Sequence, residues 1–197
     1  MKRNIKLLIF FICFILFIGQ SYAAQSFEEK KKDIIALYNS NNLEEAYNMI
    51  SRITEDERDY ELWYLLGNIS QDMDNDTNAS FFLQKSILMK PDFDKAHYNL
   101  ANIYMKEGRY NSAAREYKLA IKYKKDFAYY YYNLGCAYLK LNEYRYARSA
   151  FKKAINLKKD EADFYYNLAY TYQKLDNEKE MKKALDTYNK LKEKEEA

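Results

Sequence analysis

Apolar residues recur along this chain at the three- and four-residue spacing of amphipathic helices, with polar turns between the runs. In "YYNLGCAY", which starts at Tyr131, a helix advancing about 100° per residue puts Tyr131, Leu134, Gly135 and Tyr138 on one face, read as core. Tyr129, Tyr132, Cys136 and Leu139 fall on a second face, with Lys140 at its edge, and Tyr130 flanks the core on the side that meets a neighbouring helix. Between helices the turns are polar. In "KEGRYN", Lys106 to Asn111, Gly108 suits the left-handed residue that ends a helix.

The pattern repeats. "WYLLGNIS" from Trp63, "HYNLANIY" from His97, "YYNLGCAY" from Tyr131 and "YYNLAYTY" from Tyr165 begin 34 residues apart. Each opens on an aromatic ring or His, has Leu three later, then Gly or Ala (Gly67, Ala101, Gly135, Ala169), and then Tyr104, Tyr138 or Tyr172, with Ser70 in that slot the first time. A second series keeps the same period: Ala79, Ala113 and Ala147; Leu83, Tyr117 and Phe151; Ser86, Ala120 and Ala154. Fixed self-similarity of this length is the signature of a stacked repeat array. A single helix pair cannot bury its own apolar stripe, so neighbours must stack, with small residues at the close approaches and large ones beside them.

These residues resemble the tetratricopeptide repeat (TPR) pattern W-x2-L-G-x2-Y…A-x3-F…P, with Pro91 in the final proline slot and Lys125 and Lys159 replacing it later. The resemblance implies an all-α fold, a right-handed α-α superhelix of helix-turn-helix units. It covers a domain over 24–197, in units 27–59, 60–93, 94–127, 128–161 and 162–195. The first is degenerate, one residue out of step and without the opening aromatic. In the last, Met181, Leu185 and Tyr188 replace the small and large set.

Composition agrees with helices. Four glycines and one proline in 197 residues leave little for a sheet protein built on Gly/Pro turns. The start of the chain reads differently: Lys2, Arg3 and Lys6 precede the apolar run Leu7 to Gly19, and Ser21 to Ala23 end in small residues. This is the pattern of a secretory signal peptide, 1–23, cleaved after Ala23. The run is short against the ~20 residues of a spanning helix, and retention as a membrane anchor is the alternative. The expected location is extracytoplasmic, periplasmic or secreted, and the Lys/Asn/Ile/Tyr-rich usage looks bacterial. Those three basic residues account for the whole excess of 32 basic over 29 acidic groups. The remainder is neutral, a poor match for nucleic acid, and no membrane contact is expected after cleavage. Cys136 is then the single cysteine, so no internal disulfide is expected.

In the TPR family the first helix of each pair lines the concave surface and carries the ligand contacts. Carried over by register, the candidate groove residues are Tyr64, Asn68, Tyr98, Asn99, Asn102, Tyr129, Tyr132, Asn133, Lys140, Tyr166, Asn167 and Tyr170. Tyrosine offers a rigid contact area with a polar tip, and the asparagines in the family often bond the peptide backbone. Packing alone would also explain a tyrosine beside the core. The clamp by which some family members hold chaperone tails is not matched, because Tyr64, Tyr129 and Asn133 stand where it needs basic residues.

Chemistry is sparse. His97, the single histidine, opens a repeat and is read as packed; Cys136 is read as an apolar filler. Asp72, Asp74 and Asp76 alternate as in a calcium loop, but Thr77 stands at the required glycine and Leu83 at the closing Glu. No catalytic residue, metal or cofactor is expected. The expected function is an exported scaffold that binds a protein or peptide partner in its groove, with glycan or peptidoglycan binding as the second reading.

Overall fold

The computed structural model describes residues 26–195, and the expected signal segment lies outside them. Among the described residues the regular elements are α-helices. They fall into two compact units, one ending at Arg58 and one starting at Asp59. In the first unit, residues 26–39 form α1 and Leu43–Ser51 form α2. Ile34, Ala46 and Ile50 are its buried apolar side chains, and Lys31 is buried with them.

The second unit is four helical hairpins: α3 (Tyr60–Asp72) with α4 (Asp76–Met89), α5 (Asp94–Lys106) with α6 (Tyr110–Tyr123), α7 (Ala128–Lys140) with α8 (Tyr144–Leu157), and α9 (Ala162–Lys174) with α10 (Glu178–Glu195). From α4 to α10 each helix packs on the one before it, so the hairpins stack in chain order as an α-solenoid. Ala79, Leu83, Leu100, Ala101, Tyr117, Leu134, Phe151 and Leu168 join one continuous core.

The small and large slots of the repeat meet inside each hairpin. A Cβ at Gly67 would lie 2.8 Å from Leu83 Cγ, and one at Gly135 would lie 2.6 Å from a Phe151 ring carbon. These two glycines are therefore contact sites and not flexible joints.

The turn inside every hairpin has one geometry. Gly108 has φ +73°, and its counterparts Asn41, Asp74, Asn142 and Asp176 have φ between 54° and 62°. The following N–H bonds a carbonyl five residues back, as in Arg109 to Tyr104 at 2.8 Å and Glu143 to Tyr138 at 2.8 Å. This is the Schellman ending, which needs a left-handed residue; Asn and Asp serve where Gly is absent. Helix starts are also set locally: Asp59 and Asn75 cap the N-termini of α3 and α4 by accepting from Leu62 N and Asn78 N.

Candidate functional site

The candidate residues lie on α3, α5, α7 and α9, the first helix of each hairpin. On these helices Asn and Tyr side chains form a ladder whose rungs run between units. The Asn99 amide donates to Tyr64 Oη at 3.3 Å and to Asn68 Oδ1 at 2.7 Å. One unit later, the Asn133 amide donates to Tyr98 Oη at 2.9 Å and Asn102 Oδ1 at 3.3 Å. The Asn167 amide then donates to Tyr132 Oη at 2.8 Å. Tyr117 Oη also donates to Asn102 Oδ1, at 2.6 Å. The amide groups thus face neighbouring helices, and the carboxamide oxygens of Asn99, Asn133 and Asn167 are left as acceptors. Tyr64, Tyr98 and Tyr132 are half-buried, each with a ring against it: Phe93, just before α5, at 5.0 Å, Tyr130 of α7 at 4.9 Å and Phe164 of α9 at 4.7 Å.

The run Tyr129–Tyr132 is explained residue by residue. Tyr129 Oη donates forward to Glu161 at 2.7 Å, and Lys158 bonds both groups. Tyr130 Oη donates backward to Asp94 at 2.6 Å. Tyr132 is the third rung of the ladder. Burial pushes the Tyr130 and Tyr132 hydroxyls above the usual phenol range, so both stay protonated donors. Tyr131 differs from its expected place in the core: it is half-buried, with the Lys153 ammonium 6.0 Å from its ring, whereas Tyr130 is 3% exposed. The reason is steric. Tyr130 is wedged between the rings of Tyr98 and Phe127, and Tyr131 lies beside α8.

Other candidates remain at the surface. Lys140, Tyr166 and Tyr170 are exposed, and so are Lys106, Gln173 and Lys174 on the same helices. Lys106 pairs with Asp76 at 2.8 Å, within the turn that resembled a calcium loop. Among the described residues no group of three or more His, Cys, Asp or Glu is placed to hold a metal ion, and no helix is long and apolar enough to cross a membrane. Burial pushes the Cys136 thiol up to about 11, so it is a thiol and not a nucleophilic thiolate at neutral pH. His97 is 3% exposed, with Nδ1 2.8 Å from Glu116 and Nε2 3.0 Å from the Pro91 carbonyl. Burial opposes its charge, but these two acceptors outweigh it and hold the imidazole above its ordinary pKa.

Some contributors were missed in the sequence reading. Phe93 and Phe127 meet Tyr64 and Tyr98 edge-on, Phe164 stacks on Tyr132, and Lys158 and Glu161 clasp Tyr129. The signal was present: Phe93 and Phe127 are 34 residues apart.

Comparison with known families fits this geometry. A model described as TPR repeat matches residues 101–142, one described as tetratricopeptide repeat matches 128–161, and a third of the same description matches 60–93 and 162–195. The chain is a tetratricopeptide-repeat protein. No functionally curated protein shows significant similarity to this TPR chain. Among solved structures, "Crystal structure of MamA" superposes with a TM-score of 0.77 at 20% identity, covering 81% of this chain and 94% of that one. "MamA 41-end from Desulfovibrio magneticus RS-1" gives 0.79 at 18% identity, covering 87% and 97%. "MamA MSR-1 C2" gives 0.74 at 22%, covering 84% and 96%. At these identities the likeness is one of fold.

Proposed function

We propose that this TPR protein is an exported scaffold that binds a protein or peptide segment along the free face of α3, α5, α7 and α9, within a cell-envelope, secretion or surface complex. The observation that supports it most directly is the division of labour on those helices. The Tyr/Asn ladder is spent on joining units and makes a stiff floor, while Lys140, Gln173 and Lys174 on the same helices stay exposed. A rigid, aromatic floor with free polar edges lowers the entropy cost of capturing a flexible segment. The carboxamide oxygens of Asn99, Asn133 and Asn167 add acceptors for a visiting backbone N–H. Export rests on the basic start, apolar run and small residues over 1–23.

The test is capture from the extracytoplasmic fraction by the parent protein and by a Lys140→Glu, Lys174→Glu variant, read by mass spectrometry. Both lysines are exposed, so the variant keeps its helicity. A protein retained by the parent alone supports the reading. Nothing retained by the parent, with retention on insoluble cell-wall material instead, transfers the face to a glycan.

A further inference from the structure

The ladder has a rule, and one position does not meet it. Tyr64, Tyr98 and Tyr132 each receive an amide from the Asn 35 residues later, at 2.8–3.3 Å. At the second and third rungs the same covering helix also lays an aromatic ring on the tyrosine, three residues before that Asn: Tyr130 with Asn133, and Phe164 with Asn167. Tyr166 is the fourth member of the series. No described residue donates an amide to its hydroxyl, and it is 53% exposed, with Tyr170 beside it 43% exposed. Tyr166, Ala169, Tyr170, Gln173, Met181 and Leu185 line a recess of about 220 Å³ between α9 and α10. This recess continues the established interface between units by one more step.

We propose that this face of α9 and α10 docks an amphipathic helix from a partner protein, one that offers Tyr or Phe three residues before Asn. The ring covers Tyr166 as Phe164 covers Tyr132, and the Asn amide donates to Tyr166 Oη. A second copy of this chain is a poor occupant. Its Asn99, Asn133 and Asn167 are already spent on its own ladder. In register with them, α3 offers Leu62 and Leu65, and α1, one residue out of step, offers Glu29 and Lys32.

The probe is a fluorescein-labelled peptide with the sequence of residues 161–175, stapled to hold the helix, titrated with the protein and followed by anisotropy. Saturable binding is expected, weakened about 3- to 10-fold by Asn167→Leu in the peptide, the worth of one hydrogen bond. Tyr166→Phe in the protein should remove the difference between the two peptides, and Tyr170→Ala should weaken both. Absence of saturable binding, or binding indifferent to Tyr166→Phe and Tyr170→Ala, would overturn the proposal. A homodimer in sedimentation velocity that these substitutions dissolve would overturn it as well, by giving the face to a second copy.

Discussion

Gly135 shows how tightly a single position is constrained. Three ring atoms of Phe151 lie within 2.8 Å of where its Cβ would be, and a phenyl ring inside a packed hairpin cannot step aside as a flexible chain end would. Gly135→Ala should therefore destabilise the second unit by about 1–3 kcal/mol, seen as a lower midpoint in urea; an unchanged midpoint would mean that α7 and α8 can separate freely. The turn residues make the opposite case. Asp176 holds φ 54°, so Asp176→Gly should be neutral or stabilising, and Asp176→Ala should cost about 1 kcal/mol, which thermal melts of the pair would separate. His97 adds a pH dependence. Because its folded pKa is raised above the unfolded value of about 6.5, its contribution is fully present below that value and is lost as pH rises through the folded pKa. Urea midpoints should fall over that interval, and His97→Gln should flatten the slope. The facing groups are Glu116, Tyr123 and the Pro91 carbonyl, with Asp94 nearby.

At the scale of elements, the ladder turns hydrogen bonds into a device for joining helices. Tyr132→Phe leaves the Asn167 amide without its acceptor, and Asn167→Leu removes the donor; in a double-mutant cycle the two should couple by about 0.5–1.5 kcal/mol. Additive effects would show that the rung is incidental. The same ladder marks the limit of what was legible beforehand. The 34-residue period exposed the hairpins, because core slots must recur when units stack. The left-handed turn was legible at Gly108 alone, because Gly advertises that conformation and Asn41, Asp74, Asn142 and Asp176 do not. The asparagines beside Tyr98, Tyr132 and Tyr166 were assigned to a ligand because the family resemblance implies that role. Their bonding partners are tyrosines 35 residues earlier, a separation that matters only once the units are stacked.

For the molecule as a whole, the division at Arg58 and Asp59 sets where the chain should yield first. The hairpin turns within the second unit are short and closed by Schellman bonds, and Lys90, Lys124 and Lys158 each donate a backbone N–H to the preceding helix. A protease needs several residues of extended chain, which these joints do not offer. Residues 52–59, between α2 and α3, are different: Glu55, Asp56 and Glu57 are exposed, and the backbone bonds there are single turns such as Glu57 to Thr54 at 3.1 Å. A Glu-specific protease should therefore cut after Glu55 or Glu57 before it cuts elsewhere among residues 26–195. The product spanning the second unit should keep its cooperative melt, because its hairpins contain the small and large slots, the ladder and the Schellman turns that hold it. First cuts inside 60–195 would place the weakest joint within the stack and show that nearest-neighbour packing between hairpins is weaker than the ladder implies.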